Sequence, residues 1–254
     1  MGIWELILLF GSSMAGGLAI FLLKKDNSNR LKLVLSFSGA YLFAITILHL
    51  MPDVYKTGNT AIGLFILGGF MLQIVMEQFS EGIEHGHIHK NKSHQQHYIF
   101  PIGIMGSLCL HAFLEGMPLA QKQHSELVFG IAIHHIPAAF ALGSVLLQNN
   151  LGKSRIIALL IIFAAMSPLG YWLSFAIARG AIGNIDSYFD RIMGVVIGIF
   201  LHISTTILFE SSVDHKFNLK KMVAVLLGVG IALFAFYFCK LPYFSCQSKV
   251  EFSI

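Results

Sequence analysis

The sequence is poor in charged residues, and this scarcity decides its class. Only 12% of the residues are Asp, Glu, Lys or Arg, whereas 56% are hydrophobic. A soluble domain has about 25% charged residues, because water must solvate its surface. This chain has too few charges to cover a soluble surface. The composition therefore indicates an integral membrane protein in contact with a lipid bilayer.

Cysteine is also scarce, with three residues in the chain. Cys109 falls within an apolar segment, where a small thiol is expected to pack as core. Cys239 and Cys246 lie near the C-terminus, where they could pair in an oxidising compartment, although free thiols are the simpler interpretation.

The alternation of polar and apolar residues that a membrane β-barrel needs is absent, so the long apolar runs favour helices. The first run, Ile3 to Leu23, contains one ionisable residue, Glu5, and no Lys or Arg precedes it. We therefore expect it to be a membrane span and not a cleaved signal peptide. The fold class is predicted to be all-α, with eight transmembrane helices. They lie at about 3–23, 31–51, 61–79, 99–120, 126–147, 154–178, 190–209 and 222–239.

Basic residues are unevenly divided between the two sides of the membrane. Alternate connecting segments hold 11 of the 17 Lys and Arg residues, and this side is expected to be cytoplasmic. Residues 1–254 then form one polytopic domain with both termini outside and a His-rich cytoplasmic loop at about 82–98. A bacterial-type cytoplasmic membrane is the expected location. The net charge of +4 is an orientation signal and does not suggest a nucleic-acid partner.

The fourth span contains the most informative residues, His111 and Glu115. Residues four apart share one helix face, and an ionisable pair inside lipid is costly and usually functional. Nitrogen and carboxylate ligands suit divalent metals such as zinc. Lys and Arg occur in the predicted spans only close to their first residues, as Lys32, Arg155 and Arg191, so none is expected at a depth where it could pair with Glu115. Pro118 leaves the carbonyl of Leu114 without its helical partner, which suggests a polar cavity.

The fifth span adds His134 and His135 just before Pro137. Neighbouring side chains point about 100° apart on a helix, so the two imidazoles are not expected to face one point equally unless a kink turns one of them. Pro137, and Pro168 in the sixth span, are both expected to break their helices.

Two further groups of polar residues flank the spans. His49 and Asp53 end the second span, where they form either an entrance site for the ion or an ordinary interfacial helix end. The loop after the third span contains His85, His87 and His89, with two more histidines downstream. Clustered imidazoles bind zinc, nickel and copper, and this loose spacing is typical of a flexible metal-collecting segment or of a solvated loop. His202 and Glu210 in the seventh span are too scattered to interpret alone.

Together these motifs resemble the ZIP (Zrt/Irt-like) family of divalent metal transporters, over essentially the whole chain. The sequence His49-Leu-Met-Pro-Asp53 is similar to the family's second-span ending, and His111-x-x-x-Glu115-Gly matches its fourth-span motif. His134-His135-Ile-Pro matches the first part of its fifth-span motif. The resemblance implies a metal centre between spans 4 and 5.

The chain also departs from the family pattern. Ala138 replaces the glutamate that follows the fifth-span proline, Ala112 replaces a polar residue after His111, and Ser167 replaces an acidic residue found in some members. His111, Glu115 and His134 would then serve the primary metal site, with His135 matching a ligand of a second. Fewer carboxylates should weaken the second site, so we expect one metal at a time.

The resemblance implies a 3+2+3 arrangement, in which spans 1–3 and 6–8 form an inverted repeat. A trace of the repeat is visible, since Gly39-Ala-Tyr-Leu with Thr46-Ile-Leu in span 2 echoes Gly198-Ile-Phe-Leu with Thr206-Ile-Leu in span 7. The resemblance also implies a homodimer and a sliding transport domain.

The favoured function is import of a divalent cation, with no prosthetic group and no enzymatic activity. Zinc is the expected ion, although iron, manganese, cadmium, nickel or cobalt could use the same ligands. The ion would pass His49 and Asp53, lose its water at His111, Glu115 and His134, and leave to the histidine loop. Two alternatives stay open: a metal-binding sensor or degenerate relative that does not transport, and, ranked below it, an intramembrane metallo-hydrolase.

Overall fold

The computed structural model describes residues 2–22, 28–56, 58, 60–80, 102–120, 125–149, 151–178, 186–210 and 219–240. Within these ranges the chain forms helices and turns and no strand. The α-helices are α1 (Ile3–Leu18), α2 (Ser28–Ile45), α3 (Met51–Tyr55), α4 (Ile62–Ser80), α5 (Ile102–Gly116), α6 (Ser125–Gln148), α7 (Lys153–Ala178), α8 (Asp186–Glu210) and α9 (Leu219–Lys240).

Eight helical segments are long and apolar enough to cross a membrane, and each corresponds to a predicted span. The all-α membrane fold is thereby confirmed. The second span is longer than predicted, extending to Tyr55, because α2 and α3 are joined by a π-helical turn at Thr46–Leu50. A π turn widens the helix just before Pro52, so the proline ring can be accommodated without ending the span.

The expected breaks at Pro137 and Pro168 are not present. Helix α6 continues through Pro137, and α7 continues through Pro168. A proline removes one intrahelical hydrogen bond, and neighbouring helices can compensate for that loss inside a membrane. In the fourth span, by contrast, α5 ends at Gly116 and the chain tightens into a 3-10 turn, Met117–Ala120, that contains Pro118.

Each of the eight long helices packs mainly against one other helix. Helix α1 packs mainly on α6, α5 on α7, α4 on α8 and α2 on α9, and α1 also contacts α7 while α2 contacts α8. One apolar cluster joins α2, α6 and α8, and a second joins α5, α6 and α7. The buried polar residues of α5 and α6 lie beside the second cluster.

Candidate metal centre

Helix α5 presents His111 and Glu115 on one buried face. Both side chains have no exposed surface, and His111 Nε2 lies 3.1 Å from Glu115 Oε1. This is the geometry expected from a spacing of four residues, since side chains at i and i+4 stack on one side of a helix. A carboxylate and an imidazole are therefore held together inside the membrane span.

Helix α6 brings both of its histidines to the same carboxylate. His135 Nε2 lies 2.7 Å from Glu115 Oε2, and the His134 ring packs edge-on against His111 at a centroid distance of 5.9 Å. The two neighbouring imidazoles do not face one point equally, since their ring centroids lie 6.4 Å apart and His134, but not His135, belongs to the group of ligand atoms within 4.8 Å of one another. Because the two oxygens of Glu115 face different directions, His135 contacts one while His111 contacts the other.

The residues His111, Glu115 and His134 form a candidate ligand set. Their ligand atoms all lie within 4.8 Å of one another, and in the described part of the chain they are the one such group of three or more. A zinc ion bonded to nitrogen or oxygen at about 2.1 Å separates its ligands by at most about 4.2 Å. Small side-chain rotations would thus bring the three atoms into bonding distance of one cation.

Two alanines that the resemblance places at polar family positions are buried in the same helices as the centre. Ala112 and Ala138 are completely buried and belong to the cluster that joins α5, α6 and α7. Ser167 on α7 is buried too, and its hydroxyl donates to the carbonyl of Ala112 at 2.7 Å. Glu115 therefore supplies the sole carboxylate of the ligand set, and the alanines offer no additional oxygen.

Close contact between helices holds α5 in position against α7. A Cβ added to Gly116 would lie 2.1 Å from the carbonyl oxygen of Ser167, which is far inside van der Waals contact. Only glycine permits this approach. The neighbouring residue, Glu115, is consequently held at a fixed depth between α7 and α6.

The two residues of the predicted entrance, His49 and Asp53, do not join the centre. His49 is half-buried with its ring edge-on to Phe236 at 5.0 Å, and Asp53 is exposed and paired with Lys56 at 2.5 Å. Neither residue belongs to the three-residue ligand group. The histidine loop, with His85, His87 and His89, lies outside the described residues, as does Cys246.

Two polar contacts were not anticipated from the sequence. His202 Nε2 lies 3.4 Å from Glu77 Oε2, which links α8 to α4, and Ser13 on α1 contacts His135. A glutamate near the end of an apolar span was visible in the sequence, but its partner is 125 positions away. No local pattern could have paired these residues, because the packing of separate helices decides which side chains meet.

Comparison with known proteins identifies the family to which the chain belongs. A family model described as "ZIP Zinc transporter" matches residues 84–235, more than half of the chain and a region that includes α5 and α6. Proteins named zinc transporter ZIP1 from cattle, mouse and human are each 25% identical over 248 residues, covering 79% of this chain and 76% of theirs. The chain belongs to the ZIP family.

Proposed function

We propose that this protein transports divalent metal cations, with zinc as the principal ion, across a membrane and into the cytoplasm. The observation that carries the proposal is the fully buried group of His111, Glu115 and His134 inside two membrane spans. Ionisable side chains at such depth are expensive and normally mark an ion pathway. Family membership supports the same function.

The ligand chemistry suits transient binding. Imidazole nitrogen and carboxylate oxygen replace the water that zinc loses on entering the membrane. A transported ion must bind strongly enough to dehydrate and weakly enough to leave. Glu115 is the sole carboxylate of the set and Ala138 adds none, so the proposed centre holds one cation at a time, with His135 as an additional ligand.

The path outside the centre is part of the proposal. His49 and Asp53 would receive the cation from outside, and His85, His87 and His89 would accept it in the cytoplasm. This orientation places both termini outside, in a cytoplasmic membrane, with residues 1–254 as one transport domain and loop 82–98 inside. It rests on the distribution of Lys and Arg.

The 3+2+3 arrangement is also proposed. An inverted repeat that relates spans 1–3 to spans 6–8 exchanges span 4 with span 5. In such a repeat, helix α1 is equivalent to α7, α2 to α8, α4 to α9 and α5 to α6. The contact of α1 with α6 is then equivalent to that of α7 with α5, and the contact of α4 with α8 is equivalent to that of α9 with α2. All four contacts are among the most extensive in the protein, which supports the repeat. A homodimer is proposed from the family resemblance alone.

The direct test is uptake of radioactive zinc into proteoliposomes that contain the purified protein. Glu115→Gln keeps the size of the side chain and removes its charge, so we expect uptake to fall to background. Glu5→Gln is the matched control, because Glu5 lies at the exposed start of α1. Zinc uptake that is absent in wild type, or unchanged in Glu115→Gln, would contradict the proposal.

One alternative has a specific observation in its favour. Ala138 is buried at the position of a family glutamate, and a centre that lacks this carboxylate could bind without transporting. A sensor of this kind would bind zinc in a calorimeter and show no uptake in proteoliposomes. The two measurements made together therefore separate a transporter from a binder.

A further inference from the structure

Ser13 of α1 touches the candidate metal centre from outside the ligand set. It is buried, and its Oγ lies 3.3 Å from Nδ1 of His135. The same Oγ lies 3.0 Å from the carbonyl oxygen of Leu9, one turn earlier in the helix. His135 in turn directs its other nitrogen, Nε2, at Glu115. A chain of contacts thus runs from the backbone of α1 to the carboxylate of the centre.

The direction of these hydrogen bonds follows from counting protons. A serine hydroxyl has one hydrogen to donate, and a carbonyl oxygen can only accept. The hydroxyl of Ser13 must therefore donate to Leu9 and accept from His135. It follows that Nδ1 of His135 carries a hydrogen in this arrangement.

We propose that Ser13 is a positioning residue for His135, which holds the ring hydrogen on Nδ1 and keeps Nε2 directed at the centre as a cation ligand. Histidines that bind metals commonly donate their other ring N–H to such an outer partner, which fixes both the tautomer and the ring orientation. Nε2 lies 2.7 Å from Oε2 of Glu115, so a hydrogen is shared between these two atoms when no cation is bound. With Nδ1–H held by Ser13, loss of the shared hydrogen leaves the lone pair of Nε2 free for a cation, whereas without Ser13 the remaining ring hydrogen could stay on Nε2. The nitrogen and the carboxylate oxygen would then bind each other in place of a cation.

The packing of α1 on α6 explains how so short a side chain reaches His135. A Cβ added to Gly16 would lie 2.2 Å from the carbonyl oxygen of Ile136, so the two backbones touch at this point. Gly16 is one turn after Ser13 on the same face of α1, and Ile136 is adjacent to His135. The glycine contact therefore sets the distance across which Ser13 and His135 meet.

Ser12 provides a matched control within the same helix. Its hydroxyl donates to the same Leu9 carbonyl at 3.0 Å, but its side chain points about 100° away from that of Ser13. Ser12→Ala and Ser13→Ala remove the same group from adjacent positions. A difference between them reports on the contact with His135.

The inference rests on the proposed function, and the experiment separates the two. Full-length protein labelled with ¹⁵N-histidine is purified as wild type, Ser12→Ala and Ser13→Ala, and His135→Gln identifies the signals of His135. NMR without zinc reports whether Nδ1 carries a hydrogen, and calorimetry with zinc alone measures affinity. We expect Ser13→Ala to lose the Nδ1 hydrogen and to bind zinc about 10–100-fold more weakly. In uptake assays its KM should rise by the same factor while the rate at saturating zinc is retained.

The possible results decide between the two ideas. If Ser13→Ala keeps the Nδ1 hydrogen or binds zinc like wild type, Ser13 does not position His135. Equal weakening in Ser12→Ala would assign the effect to the packing of α1 and would overturn the proposal as well. If the wild-type protein binds no zinc, the proposed function fails, whereas the NMR signal still shows whether Ser13 sets the tautomer.

Discussion

Gly116→Ala provides the sharpest test of the idea that helix packing positions the ligands. The new Cβ would lie 2.1 Å from the carbonyl oxygen of Ser167 and 2.8 Å from its Cα and carbonyl carbon, where ordinary contact begins at 3.4 Å. These are backbone atoms, which cannot rotate aside. Helices α5 and α7 must therefore separate by about 1 Å, and excess volume of this kind in a packed core costs about 1–3 kcal/mol.

The consequence for the centre follows from where Gly116 lies. Glu115 is the preceding residue, and the hydrogen bond from Ser167 to the Ala112 carbonyl spans the same contact. The ligand atoms are already up to 4.8 Å apart and must come closer to hold a cation. Because a displacement of about 1 Å can reduce the performance of a positioned group about 100-fold, we expect zinc affinity to fall by a similar factor.

The assay is zinc binding by calorimetry, supported by zinc uptake into proteoliposomes. Gly106→Ala is the control, since Gly106 lies on the same helix and an added Cβ there would meet no atom within 4 Å. Alanine is favoured over glycine in a helix by about 1 kcal/mol, so this control should be at least as stable as wild type. If Gly116→Ala binds zinc as tightly as Gly106→Ala, the contact with Ser167 does not position Glu115, and the reasoning is refuted.

Two further substitutions test the ligand set and the proposed entrance. Ala138 follows His134 by one turn, so Ala138→Glu adds a carboxylate on the same helix face. We expect this variant to bind zinc more tightly and to take it up more slowly at saturating zinc. Without zinc its thermal stability should be lower, because an uncompensated buried charge costs several kcal/mol. Unchanged affinity would mean that this position does not face the cation. His49→Gln should raise the KM for zinc uptake and leave the maximum rate unchanged, since an entrance site acts before the slow step. A fall in the maximum rate at constant KM would place His49 outside the entrance.

The fold was largely predictable from the sequence because its main determinants are local. Backbone groups in lipid must be paired within each segment, so an apolar run of about 20 residues can only be a helix. The eight spans follow from that rule, and their ends agree with the structure to within a few residues. The pairing of His111 with Glu115 is equally local, since a spacing of four places both on one face of α5.

The parts that the sequence could not determine all depend on contacts between helices. Pro137 and Pro168 were expected to break α6 and α7, yet both helices continue, because the surrounding packing tolerates one missing hydrogen bond. The convergence of His134 and His135 on Glu115 depends on the rotation of α6 against α5. No periodicity in one helix contains that information.

The contacts of Ser13 with His135 and of Glu77 with His202 show most clearly what the sequence cannot determine. Ser13 is 122 positions from His135, and Glu77 is far in sequence from His202, so neither pair produces a motif. The sequence by itself determined which segments enter the membrane and which residues can bind a metal, because burial and ligand chemistry are properties of single segments. Only the tertiary structure decided which of those residues meet, because that depends on the depth and rotation at which small residues such as Gly16 and Gly116 allow the helices to touch.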